Sequence, residues 1–156
     1  MPIRIQEADF DLTTEIADLR RGNLQIGAIS AFVGTVRDMN EGSRVQTITL
    51  EHYPGMTEKA LEAIVIEAKA RWNIQDALVI HRVGPLLPAD QIVLVAVTSA
   101  HRGESFQACE FIMDYLKTAA PFWKKEDTPE GGRWVDARVT DDAAAARWAP
   151  QNTSKK

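Results

Sequence analysis

The segment Ser99-Ala100-His101-Arg102-Gly103-Glu104-Ser105 sets an imidazole beside a guanidinium where an apolar run ends and a helical pattern begins. The start of a helix leaves unpaired amides and a partial positive charge, so a His–Arg pair there suits a phosphate or a carboxylate. An ordinary strand-to-helix turn with two solvated side chains fits the same residues. A second segment, Asp114-Tyr115-Leu116-Lys117-Thr118-Ala119-Ala120-Pro121-Phe122-Trp123-Lys124-Lys125, carries two lysines seven residues apart on either side of a proline. Lys117 falls in the last turn of a helix, where it can pair with Asp114 and complement the helix dipole. Lys124 follows Pro-Phe-Trp, a stiff aromatic turn that can wall off water. An amine near apolar walls and another cation is pushed towards its neutral form, which makes it a usable base or nucleophile. The plainer alternative is a pair of surface lysines. In a third segment, Phe32-Val33-Gly34-Thr35-Val36-Arg37-Asp38, Arg37 stands where a strand runs into a loop and can clamp an anion, or form a surface patch with Asp38.

Other reactive side chains read as structural. His52 and His81 each fall in a strand with no neighbour at metal-ligand spacing. Cys109 lies between Phe106 and Met113 on the apolar side of a helix, as a core thiol would. Because it is the only cysteine, neither an internal disulfide nor a thiolate metal cage can be built. The chain has no Walker loop, no Gly-x-Gly-x-x-Gly fingerprint and no Gly-x-Ser-x-Gly elbow. No motif calls for a metal or a cofactor.

The elements that must position these groups alternate between strands and helices. Ile3 and Ile5 suggest a first strand. Leu12, Ile16 and Leu19 suggest a helix closed by Gly22. Ile26 to Val36 predicts a strand buried on much of both faces, and Val45 to Tyr53 a second one. The short polar loop between them suggests an antiparallel hairpin. Leu61, Ile64, Val65, Ala68 and Trp72 mark one face of a helix with Thr57 as its expected N-cap. Strands follow over 77–83 and 91–99, then a helix over 103–120 that Pro121 must end. The runs 122–125 and 133–138 can pair as a hairpin, and Asp141 and Asp142 open a last short helix through Trp148. The pattern predicts one α+β domain over 1–148 and a flexible tail over 149–156.

Composition narrows the function. The chain has 156 residues, 45% of them apolar, which is ample for one folded domain. Eighteen Lys and Arg against 22 Asp and Glu give a net charge of −4, so no global basic field exists to hold nucleic acid. Any anion must be held by a local cluster. The longest apolar stretch, Ile92 to Val97, falls far short of the ~20 residues of a membrane span. Met1-Pro2-Ile3-Arg4-Ile5 does not open a signal peptide, so a soluble cytoplasmic protein is expected.

Longer blocks carry a resemblance. Leu50-Glu51-His52-Tyr53-Pro54-Gly55-Met56-Thr57-Glu58-Lys59-Ala60, Thr98-Ser99-Ala100-His101-Arg102 and Phe111-Ile112-Met113-Asp114-Tyr115-Leu116-Lys117-Thr118 resemble the large, catalytic subunits of molybdopterin synthase, the MoaE family. So do Ala120-Pro121-Phe122-Trp123-Lys124-Lys125-Glu126 and Gly132-Arg133-Trp134-Val135-Asp136-Ala137-Arg138. The similarity runs over roughly residues 3–148. Thr35 departs from it, standing where some relatives have lysine.

The resemblance implies an α/β-hammerhead domain with an additional small antiparallel β subdomain. It implies a sulfurtransferase of molybdenum cofactor biosynthesis that converts cyclic pyranopterin monophosphate (precursor Z) into molybdopterin by installing a dithiolene. The sulfur would arrive as a thiocarboxylate on the C-terminal Gly-Gly tail of a small ubiquitin-like subunit, within a heterotetramer built on a homodimer of large subunits. By the same resemblance Lys117 meets tail and substrate, and Lys124 is the acid/base lysine beside the pterin. Arg37, His101 and Arg102 serve the substrate phosphate, Lys125 and Glu126 continue the substrate-binding strand, and Arg138 crosses the dimer interface. The lysines and the cationic trio are expected to share one hollow. A rival reading keeps the trio as a non-catalytic module for a phosphorylated ligand, and a weaker one makes the chain a scaffold that only receives the small subunit's tail.

Overall fold

The computed structural model describes residues 3–40, 43–44, 47–129, 131–135 and 139–149. In chain order the elements are β1 (Ile3–Gln6), α1 (Leu12–Arg20), β2 (Ala28–Thr35), β3 (Met39–Asn40), β4 (Ser43–Arg44), β5 (Thr47–His52) and α2 (Met56–Arg71). There follow β6 (Ile74–Arg82), β7 (Gly84–Leu86), β8 (Gln91–Ser99), α3 (Arg102–Ala119), β9 (Phe122–Thr128), β10 (Gly131–Val135) and α4 (Val139–Ala146). The protein is α+β, with one four-stranded sheet in the order β1-β6-β8-β2 and a second in the order β10-β9-β5-β7. The strands β3 and β4 form a small ribbon of their own.

The first sheet is built on β8, whose residues Val93 to Ser99 are all buried. Side chains alternate along a strand, so each face receives half of them. Val93, Val95 and Val97 pack under α2 and α3 with Leu61, Phe111 and Ile112, while Leu94 and Ala96 join Phe10, Leu78 and Ile80 on the other face. This explains the near-continuous apolar run. A smaller cluster of Val36, Ile48, Leu50 and Leu86 joins the second sheet to the end of β2.

Four local expectations are corrected. The run 45–53 does not form a hairpin with 26–36: among the described residues β2 pairs with β8, and β5 pairs with β7 and β9. Ile48 and Leu50 bury their side chains with Leu86 of β7 and with Val36, the residue directly after β2. The cap of α2 is Gly55 rather than Thr57. Gly55 takes a φ of 85°, a region glycine enters without steric cost, and its amide donates to Glu58 Oε1 at 2.8 Å. Asp114 does not pair with Lys117; it accepts from Arg147 and from the Trp148 indole at 2.9 and 2.6 Å. The strand β2, expected to be buried on much of both faces, is the edge strand of its sheet and buries only Ser30 along its length. The stop of α3 before Pro121 and the pairing of β9 with β10 are as expected.

Candidate functional site

The position of Lys117 follows from how α3 lies on the sheet. Ser105 Oγ is 2.7 Å from Ser30 Oγ near the start of β2. Four residues on, Cys109 Sγ donates to the carbonyl of Val95, the residue paired with Phe32. The helix therefore advances alongside β2, about 6 Å for four helical residues against about 6.6 Å for two strand residues. Two further turns bring Lys117, exposed, level with the end of β2. Arg37, also exposed, follows directly after the buried Val36 at that same end.

Lys124 reaches this end from the second sheet. Directly opposed residues of an antiparallel pair point to the same face. Lys124 is opposite Leu50 and Glu126 opposite Ile48, so both share the face that packs around Val36. Their burial agrees: Lys124 is half-buried and Glu126 only 2% exposed. Lys125 is exposed on the other face, its stem lying against Gly132.

The link between the two lysines is held from both sides. Phe122 N–H donates to the carbonyl of Ala120 at 2.9 Å, closing a tight turn around Pro121. The fully buried Thr57 hydroxyl donates to the Pro121 carbonyl at 3.0 Å and accepts from the Tyr53 amide at 2.9 Å. The Phe122 ring stacks on the buried imidazole of His81, with centroids 3.8 Å apart. His81 Nδ1 lies 2.8 Å from the Arg82 carbonyl and therefore carries its proton there. Burial pushes the imidazole down to about 4, although the Arg82 bond raises it; the nearby charges of Lys117 and His52 act in the downward direction.

His101 and Arg102 are not part of this gathering within one chain. They follow Ser99, which pairs with Ala28, whereas Arg37 follows Thr35, which pairs with Gln91. Ala28 and Thr35 are seven residues apart along β2, about 23 Å at the strand rise. The cationic trio expected to share a hollow is thus split between opposite ends of one domain. Both residues are exposed at the start of α3, where the helix has no side-chain cap. Arg138 lies outside the described residues. No group of three metal-ligating side chains occurs among the described residues. Sequence reasoning missed Thr57 and His81 as supports of the lysine link. Both act across more than forty residues of chain, at a distance that no local pattern reports.

Comparison with known proteins shows the family. The family model described as "MoaE protein" matches residues 5–119. A molybdopterin synthase catalytic subunit from Ralstonia nicotianae is 70% identical over 146 residues, covering 94% of this chain and 83% of the relative. Among solved structures, a molybdopterin biosynthesis MoaE protein from Burkholderia ambifaria superposes with a TM-score of 0.81 at 63% identity, covering 96% of this chain and 98% of that one. The crystal structure of molybdopterin synthase from Staphylococcus aureus superposes with a TM-score of 0.80 at 30% identity, covering 86% and 97%.

Proposed function

Because the chain belongs to the MoaE family, the molybdopterin synthase catalytic subunits, we propose that it moves sulfur from a partner's thiocarboxylate onto cyclic pyranopterin monophosphate. It is an enzyme of molybdenum cofactor biosynthesis. The observation that carries the finer reading is the convergence of Lys117, Lys124 and Arg37 at one end of the domain, with Lys124 and Glu126 on the inner face of β9.

In this reading the C-terminal Gly-Gly tail of a small ubiquitin-like subunit delivers the sulfur, and Lys117 meets the tail carbonyl. Lys124 moves the proton at the pterin, and Arg37 holds the phosphate as the cyclic ester opens and charge collects on its oxygens. Fixed cations at such a place stabilise developing charge better than water does. A thiocarboxylate is itself a good nucleophile, so no cysteine of this chain is needed. Because His101 and Arg102 lie at the far end, they serve the site of a second copy, as does Arg138. This reading requires a homodimer, which with two small subunits makes a heterotetramer. Lys125 faces away from Lys124, so its contribution is limited to the outer face of the strand. The hammerhead description, a single functional domain over 1–148 with a tail beyond it, and a cytoplasmic setting complete the reading. No helix among the described residues is long and apolar enough to cross a membrane.

Mixing the protein with cyclic pyranopterin monophosphate and a thiocarboxylated small subunit, then quantifying dithiolene product, tests the assignment. Lys124→Ala should lower turnover by about 100-fold or more while leaving the fold and small-subunit binding intact. Undiminished turnover would refute it. A phosphate-binding module without chemistry would give no dithiolene even with the unaltered chain.

A further inference from the structure

The two lysines sit on different elements, one near the end of a helix and one on a strand, joined only by the turn at Pro121. Their mutual placement therefore depends on what fixes that turn. Proline has no N–H, so the carbonyl is the one backbone hydrogen-bonding group that residue 121 itself offers as an anchor. That carbonyl accepts from Thr57 Oγ1 at 3.0 Å. The hydroxyl is itself oriented, because its oxygen accepts the Tyr53 amide at 2.9 Å and so must turn its proton towards Pro121. Thr57 stands in the first turn of α2, and its backbone N–H donates to the Tyr53 carbonyl at 2.9 Å. With no exposure to water, nothing replaces the hydroxyl if it is removed.

We propose that Thr57 is a positioning residue for the sulfur-transfer site, its hydroxyl fixing the turn at Pro121 and through it the separation of Lys117 from Lys124. The inference rests on the roles given above to those two amines. It explains why a threonine that looks like a helix cap is spent on a carbonyl 64 residues away. Misplacing a reacting group by ~1 Å costs up to ~100-fold in rate, whereas binding surfaces tolerate such a shift. Loss of the hydroxyl should therefore fall on kcat and spare KM.

The test compares Thr57→Val, which keeps the shape, Thr57→Ala, and Thr57→Ser, which keeps the hydroxyl, with Lys124→Ala measured in parallel. Each is assayed with cyclic pyranopterin monophosphate and the thiocarboxylated small subunit, and its melting and small-subunit binding are recorded. Thr57→Val and Thr57→Ala should lose about 10- to 100-fold in kcat with KM within about 3-fold. Thr57→Ser should restore kcat to within about 3-fold of the unaltered chain. Folded Val and Ala variants with undiminished kcat, beside an inactive Lys124→Ala, would overturn the role of Thr57 alone. An active Lys124→Ala would overturn the reading beneath it as well. The proposal is also overturned if Thr57→Ser is as slow as Thr57→Val. Failure of both Val and Ala variants to fold has the same consequence, because the hydroxyl would then serve the whole fold.

Discussion

The imidazole of His81 lies nearly flat on the ring of Phe122, the two planes 17° from parallel. The contact ties β6 of the first sheet to the first residue of β9 in the second, two residues before Lys124. A charged imidazole does not fit there: the ring is buried, and Lys117 and His52 add like charge nearby.

Stability should therefore respond to acid through His81. Its value is about 4 in the folded chain against 6.5 for a free imidazole. Between those values the unfolded chain binds more protons than the folded one, so folding stability falls as the pH is lowered through this window and is unaffected by His81 above it. The loss approaches about 3 kcal/mol at the acid end. His81→Gln, which cannot titrate, should remove most of this term. In denaturant unfolding at pH 7 and pH 4.5, the unaltered chain should lose about 2–3 kcal/mol more than the variant. Equal losses would show that His81 is protonated without penalty.

Cys109 offers a check on where the sulfur comes from. Burial raises its thiol to about 11, with the Glu110 charge adding to the rise and a bond to the Phe32 backbone opposing it. The group is therefore a protonated thiol at neutral pH, donating to the Val95 carbonyl under α3. Nucleophilic sulfur chemistry needs the thiolate, and this residue does not supply it. Cys109→Ala should keep turnover within about 2-fold, because the alanine removes a core sulfur far from the lysines and little else. Alkylation by iodoacetamide at pH 8 should be slow in the native chain and fast in denaturant. A large loss of turnover in a well-folded Cys109→Ala would require the chain to carry sulfur itself.

What the sequence disclosed and what it hid divide along the range of the forces involved. Helix α3 and its end were legible because a 3.6-residue period and a proline act within one or two turns. The burial of β8 was legible from its unbroken apolar run. The partners of β5 were not, because a short polar loop suits a hairpin equally well whether or not its strands are better paired elsewhere. Thr57 was misread for a related reason. A threonine before an apolar period looks like a cap, and only the approach of Pro121 from another element shows where its hydroxyl goes. The resemblance singled out Lys117, Lys124 and Arg37 as expected site residues, but gave no sign that His101 and Arg102 lie at the opposite end from Arg37. That separation is a consequence of strand register, in which Ala28 meets Ser99 and Thr35 meets Gln91.

The same separation makes a prediction about two copies of the chain. If His101 of one copy completes the site built on Arg37, Lys117 and Lys124 of the other, each site draws on both chains. A homodimer of Arg37→Ala chains then has two damaged sites, as does a homodimer of His101→Ala chains. In a mixed dimer related by a two-fold axis, both lesions fall in one site and leave the other whole. Unfolding and refolding equal amounts of the two inactive variants together should make about half of the dimers mixed, and each mixed dimer has one intact site. Turnover should return to roughly a quarter of that of the unaltered enzyme at equal total protein. The gain should be absent when the variants are mixed without exchange of chains. If refolded mixtures stay as inactive as the parents while size-exclusion chromatography shows that dimers have formed, Arg37 and His101 do not meet across the two-fold axis.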